Sequence, residues 1–248
     1  MGVYDQPLYY EIAFSYQEAK RQADYFEEAA RRYAKIPVKR FLDIGCGPTP
    51  QLRELARRGY EAVGLDINPN MLAHLRKRAE EEGVKVETIE ADMNNFKLKK
   101  KCDFAFVLSG SVAVNSNKQF LQHLDCVADA LRKGGLYLFE NFSLRLNQSP
   151  KQEWAMTCGE IEVKTTWEAV TKDELEQLEE ERLTLEVNDH GEKKTFSSTF
   201  HPKTFSSQEL KALIELNGRF EFIGWFEHLK LERLKTTKGS NIILLRKK

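Results

Sequence analysis

The chain has 248 residues, 41% of them hydrophobic and 31% charged, which suits one large domain or one domain with an insert. Its 38 Lys and Arg balance its 38 Asp and Glu, so no global positive field draws it to nucleic acid or an anionic membrane, and a small substrate is favoured. Cys46, Cys102, Cys126 and Cys158 lie far apart without a C-x-x-C pair, and the N-terminus has no signal-like or membrane-length apolar run. These features predict a reduced, cytoplasmic protein with Cys102 and Cys126 as core filler.

Residues 1–15 are aromatic-rich without a clear period, and residues 16–34 read as an amphipathic helix. Tyr25, Phe26, Ala29, Ala30 and Tyr33 recur at helical spacings opposite Glu27, Glu28, Arg31 and Arg32. That helix is either a packing element or a lid whose tyrosines close over a bound cofactor. From 36 to 133, short β-rich runs alternate with helical patterns, the signature of βαβ units and a parallel sheet.

The first of these strands, Phe41, Leu42, Asp43 and Ile44, runs into a turn holding Gly45, Cys46 and Gly47, then Pro48, Thr49 and Pro50. Glycines without a Cβ let a ligand approach the backbone, Thr49 is a candidate N-cap, and Pro50 suits the first helical position. The pattern reads as the floor of a nucleoside-cofactor site. Helix 51–58, strand 61–66, a helix capped by Asn68 and Pro69, and strand 84–90 follow. Strand 102–108 is a buried apolar run ending at Ser109, Gly110 and Ser111. A helix over 117–132, stopped by Gly134 and Gly135, leads to a fifth strand at 136–142. Gly45, Asp66, Asp92, Ser109 and Asn141 all fall at the carboxyl ends of strands, where open α/β sheets bind ligands.

Strict alternation over 160–170, repeated by Leu183, Leu185 and Val187 and by Phe196, Ser198 and Phe200, predicts an antiparallel β-insert that caps the site. Residues 173–182 read equally as helix, from their Glu content, or as strand, from their position. A capping box at Ser206, Ser207, Gln208 and Glu209 opens a last helix, and strands at 220–226 and 242–245 flank a charged loop.

On these residues the chain resembles the class I S-adenosylmethionine-dependent methyltransferases, strongly over 38–145 and loosely at the termini. Within them it is similar to the small-molecule branch that includes glycine and sugar-amine N-methyltransferases. The resemblance implies an α/β, Rossmann-like seven-stranded mostly parallel sheet with helices on both faces and an antiparallel insert after strand five. It also implies a division into a lid segment 1–34, a cofactor-binding core 35–145, a substrate cap 146–205, and a completing helix and strand pair 206–248.

The resemblance places Asp43, Gly45, Cys46 and Gly47 against the methionine moiety of S-adenosylmethionine and Asp66 on its ribose hydroxyls. Ile67 then lies against the adenine, Asp92 and Met93 stand at its edge, Leu108 and Ser109 lie near the methionine end, and Met71 is a further cofactor contact. Tyr9 and Tyr16 come from the lid. A third glycine of the family pattern is Thr49 here, either a helix cap in its place or a ligand contact.

The implied reaction is in-line transfer of the methyl group to a nitrogen or oxygen of a small molecule, leaving S-adenosylhomocysteine, in a monomer or homodimer. Ser111, Asn141 and Trp154 are the candidate substrate contacts. Trp167 and Trp225 sit on apolar strand faces as core. Among the histidines, His201 is the candidate base; His74, His123, His190 and His228 read as structural or solvated. Two other readings stay open. An NAD(P)-dependent oxidoreductase also carries an acid about 20 positions after its glycines, but its Gly-x-Gly-x-x-Gly needs glycine where Pro50 stands. A non-catalytic S-adenosylmethionine-binding module is the second. The scattered His and Cys positions give no metal spacing.

Overall fold

The computed structural model of the chain describes residues 2–140, 151–235 and 241–248. After a short 3-10 helix at Val3–Asp5 come α1 (Pro7–Ala13), α2 (Ala19–Tyr33), β1 (Arg40–Ile44), α3 (Pro50–Arg57), β2 (Glu61–Asp66), α4 (Pro69–Glu81) and β3 (Val86–Glu90). Next are β4 (Cys102–Val107), α5 (Asn117–Ala130), β5 (Leu131–Glu140), β6 (Lys151–Cys158), β7 (Ile161–Asp173), β8 (Leu178–Asp189) and β9 (Glu192–Phe200). The chain closes with α6 (Ser207–Asn217), β10 (Phe220–Glu227) and β11 (Asn241–Lys247).

The main sheet has seven strands in the order β10-β11-β5-β4-β1-β2-β3. Pairs from β5 through β3 are parallel, whereas β11 runs antiparallel to both β5 and β10. Alternate side chains on each central strand feed opposite cores, as the two-residue strand period requires. Phe41, Phe104, Phe106, Leu136 and Leu138 pack with Tyr25 and Phe26 of α2 and Leu52 and Leu55 of α3. Their neighbours Leu42, Ala105, Val107, Tyr137 and Phe139 pack on the other face against residues of α5 and α6. Each fully buried Phe or Leu there is worth roughly 1.5–3 kcal/mol relative to exposure, so the sheet is a rigid platform for the loops at its carboxyl edge.

Several elements differ from their expected bounds. Helix α5 stops at Ala130, because Leu131 is extended and pairs with Cys102. The register then jumps so that Phe104 pairs with Leu136; a Cβ on Gly135 would stand 2.5 Å from the Asp103 carbonyl. The insert is a four-stranded antiparallel sheet, β6-β7-β8-β9, with β6 an unanticipated member. The ambiguous 173–182 segment is mostly strand: Ala169, Val170 and Thr171 pair with Glu181, Glu180 and Glu179, and these cross-strand pairs override helix propensity. Asp173 turns the chain there, its Oδ1 accepting the backbone N–H groups of Leu175 and Glu176 at 2.9 Å. At the N-terminus, the aromatic segment forms the 3-10 turn and α1, with Pro7 at the first helical positions, and the amphipathic helix starts only at Ala19.

Helix α1 lies on the insert. Val3, Tyr9, Ile12 and Ala13 share one apolar cluster with Val163, Leu183, Leu185 and Val187.

Candidate functional site

The turn after β1 is held from behind by the neighbouring strand. The N–H groups of Gly45 and Cys46 donate to the Leu65 carbonyl at 2.7 and 2.9 Å, and both Gly45 (φ 68°) and Gly47 (φ 52°) adopt the left-handed conformation. A Cβ on Gly45 would lie 2.9 Å from Met93 Cε. Thr49, only 2% exposed, turns its hydroxyl onto the Leu52 N–H at 3.3 Å, so it caps α3, and Pro50 opens the helix.

Asp66 ends β2 with each carboxylate oxygen already holding one backbone donor, Gly47 N–H at 2.7 Å and Asn68 N–H at 2.8 Å. An ionised carboxylate offers about four acceptor positions, so one on each oxygen remains for two further donors. Burial raises its pKa above the ordinary value, and the backbone hydrogen bonds from Asn68 and Gly47 oppose that rise. Asp43, on the adjacent strand, is pushed up to about 8 by burial, with a hydrogen bond from Thr49 opposing the rise and the Asp66 charge adding to it. At neutral pH Asp43 is thus chiefly a neutral acid behind the turn.

A cavity of about 1170 Å³ opens at this edge, beyond the ~300–1,000 Å³ of a usual single-ligand pocket. On the β1-β2-β3 side it is lined by Gly45, Gly47, Asp66, Ile67, Asp92 and Met93, with Met71 beneath. Toward β4, β5 and the insert the lining includes Ser109, Ser111, Glu140, Trp154, Tyr16 and His228. The N-terminal segment supplies an aromatic wall: Tyr10 passes 3.9 Å from a Cβ position on Gly47, and Phe14 packs against Tyr10 in a tilted pair with ring centroids 4.5 Å apart. Trp154 meets Phe14 edge-on at 5.6 Å and donates its Nε1–H to the Ala13 carbonyl at 2.7 Å.

Five of the expected residues lie outside this lining. Tyr9 turns to the insert, donating its hydroxyl to Asp189 at 2.7 Å, and the adjacent Tyr10 takes the place over the glycine turn. Asp43 stands behind the turn. Cys46 packs with Leu72 and Leu75, and Leu108 packs against the apolar core on the α2 face. His201 carries a side chain 65% exposed, 3.5 Å from Glu180, away from the cavity. Asn141 lies outside the described residues.

Conversely, the cavity takes in Glu140, which sequence reasoning passed over, and His228, which it read as structural or solvated. Glu140, adjacent to Asn141, was signalled only by its place as the polar residue closing an apolar strand. His228 carried no local signal, because pairing of β10 with β11 brings it to the edge of the sheet. His123, read as structural or solvated, is structural: it is fully buried between the Met93 carbonyl and the Tyr137 hydroxyl at 3.0 and 2.6 Å, and burial lowers its pKa to about 4.

No helix of the described residues is long and apolar enough to cross a membrane, and no group of three or more His, Cys, Asp or Glu among them is placed to hold a metal ion.

The glycine turn, the aligned carboxylate of Asp66 and the flat apolar side chains beside it suit an adenosine-bearing ligand. Comparison with known proteins agrees. Residues 41–135 match the family described as Methyltransferase domain. A Geobacillus sp. (strain WCH70) protein, named only provisionally as a methyltransferase, is 24% identical over 166 residues, 64% of this chain and 67% of its own. The ubiquinone biosynthesis O-methyltransferase of Nitrosococcus oceani is 29% identical over 131 residues, half of each chain. Among solved structures, a S-adenosylmethionine-dependent methyltransferase from Clostridium acetobutylicum superposes with a TM-score of 0.80 at 16% identity, covering 96% of both chains. The sugar N-methyltransferase KedS8 of Streptoalloteichus sp. gives 0.73 at 17% identity over 94% of this chain and 89% of that one. At such identities the structural likeness is one of fold. The chain carries a methyltransferase domain over residues 41–135, set in the fold that S-adenosylmethionine-dependent methyltransferases share.

Proposed function

We propose that this methyltransferase acts on a nitrogen or oxygen atom of a small molecule, by direct in-line displacement. The observation that carries the reading is the size and division of the cavity, about 1170 Å³, with a nucleoside-type floor on one side and a separate polar and aromatic wall on the other. Fold neighbours named as a sugar N-methyltransferase and an amino pentose methyltransferase support a nitrogen acceptor. Four functional parts follow: lid 1–34, cofactor core 35–145, cap 146–205, and completing strands 206–248. The protein works in the cytoplasm, as a monomer or homodimer, with neither nucleic acid nor membrane as partner.

S-adenosylmethionine supplies an electrophilic methyl group on a sulfonium. Gly45 and Gly47 admit it to the backbone, Asp66 accepts from its ribose hydroxyls, Ile67 and Met71 flank its adenine, and Asp92 and Met93 meet the adenine edge. Ser109 and the aromatic wall with Tyr10 and Tyr16 bound the methionine end, while Ser111 and Trp154 face the acceptor. Because the thioether leaves without a proton, the chain contributes chiefly alignment, worth up to roughly 7–11 kcal/mol. Calorimetry tests the cofactor part: S-adenosylmethionine and S-adenosylhomocysteine should bind near 1 μM, about −8 kcal/mol. Binding of NADH in their place would sink the reading. Transfer of labelled methyl to a panel of amino sugars, simple amines and phenols tests the acceptor; labelling of nucleic acid or protein alone would overturn it.

A further inference from the structure

One pair in the cavity has chemistry that alignment does not use. Glu140, the last described residue of β5, is 3% exposed, and a carboxylate so enclosed is costly unless partnered. It has two partners. Its Oε2 accepts the backbone N–H of Ser109 at 2.9 Å, and its Oε1 lies in direct contact with Nδ1 of His228. Ser109 follows β4 in a left-handed conformation (φ 57°), so the loop at the strand end is shaped to deliver that N–H to the carboxylate.

His228 immediately follows β10, on a turn closed by backbone bonds from Glu227 N–H to the Glu232 carbonyl at 3.0 Å and from Leu234 N–H to the Trp225 carbonyl at 3.0 Å. Its side chain is 38% exposed and lines the cavity. The carboxylate at Nδ1 favours a proton on that nitrogen and leaves the Nε2 lone pair, at the opposite side of the ring, free to accept one. A base whose ring is set by a third group is the arrangement that activates nucleophiles in unrelated folds.

We propose that His228 is the proton acceptor in methyl transfer and that Glu140 is the positioning residue that sets its tautomer; this rests on the small-molecule N- or O-acceptor reading above. In the step, the acceptor's lone pair forms the bond to the methyl carbon while the carbon–sulfur bond breaks with its electron pair remaining on sulfur. The proton on the acceptor atom passes to Nε2 of His228, and the imidazolium so formed is balanced by the Glu140 carboxylate until water takes the proton. The pair narrows the acceptor to one with a removable proton on the methylated atom, a primary or secondary amine or a hydroxyl, rather than a tertiary amine or thioether.

Nitrogen NMR of the full chain labelled with [15N]histidine, with and without S-adenosylhomocysteine, reads the tautomer directly. The expected result is His228 protonated on Nδ1, with E140Q relaxing it toward the Nε2-protonated form. A ring protonated on Nε2 in the wild type, or one indifferent to E140Q, overturns the proposal. In transfer of labelled methyl to the panel of amines and phenols, H228N keeps a donor toward Glu140 but offers no base. It should lower kcat by roughly 100-fold or more while the KM for S-adenosylmethionine and the affinity for S-adenosylhomocysteine stay within about twofold. An unchanged kcat also overturns it. If wild type binds no S-adenosylhomocysteine, the cofactor reading fails on its own, and the tautomer in the ligand-free chain still decides whether the pair is formed.

Discussion

Asp43 and Asp66 sit on adjacent parallel strands, and burial gives them different tasks. Asp66 keeps an accessible carboxylate at the cavity, where D66A should weaken S-adenosylhomocysteine binding at least tenfold by calorimetry, since two hydroxyl donors would lose a charged acceptor. Asp43 is enclosed, and its carboxyl keeps its proton up to about pH 8, whereas in the unfolded chain it ionises near 3.8. Between those values the folded state binds more protons, so stability falls as pH rises, by at most about 1.4 kcal/mol per unit. Denaturant titrations at about pH 5 and pH 7.5 should therefore show a loss in wild type that is smaller in D43N; parallel losses would place the pH dependence elsewhere.

Among the elements, α3 shows how a family glycine can be replaced. Thr49 takes φ 25° and caps the helix through Leu52 N–H, so a threonine does at the helix start what backbone freedom does in a glycine. T49A should cost about 1 kcal/mol in stability, read from the denaturation midpoint. Gly45 is less forgiving: with φ 68° and Met93 Cε 2.9 Å from a Cβ position, G45A strains the turn and should abolish S-adenosylhomocysteine binding at concentrations that saturate wild type. The parallel strands and helices between 40 and 130 were legible because apolar runs and amphipathic stripes are local signals. Strand β6 was not, since Trp154 and Met156 alternate with too few apolar partners, and the Glu-rich start of β8 reads equally as helix or strand until its partner strand is in place.

For the molecule as a whole, α1 ties α3 and α4 to the antiparallel insert. Beyond its apolar contact with the insert, its Glu11 reaches α4 and α3, with His74 Nε2 at 2.7 Å and Arg53 Nη2 at 2.5 Å. Burial opposes ionisation of Glu11, but the hydrogen bonds from His74 and Arg53 prevail and hold its pKa at about 2, below the ordinary 4.5. A depressed carboxyl contributes stability that is complete above its unfolded value and is lost as pH falls through 4.5 toward 2. Protection against hydrogen exchange across residues 2–15, taken relative to the intrinsic rate at each pH, should fall in that window before the main sheet opens, and E11Q should have low protection at neutral pH too. Exchange that rises uniformly over the chain would show that α1 is not a separately docked element.

The sequence by itself determined the alternation of strands and helices, the glycine turn and the acid at the end of β2, because each depends on short-range periodicity or on one residue's conformational freedom, while the seven-stranded sheet with its antiparallel last pair was implied by the family resemblance. Tertiary structure alone decided that Tyr10 rather than Tyr9 covers the turn, that Cys46 and Leu108 face inward, and that Glu140 meets His228. Those outcomes depend on which face of a helix or strand end meets a partner far away in the chain. Sequence separations such as the one between β5 and the turn after β10 are closed only when the sheet assembles.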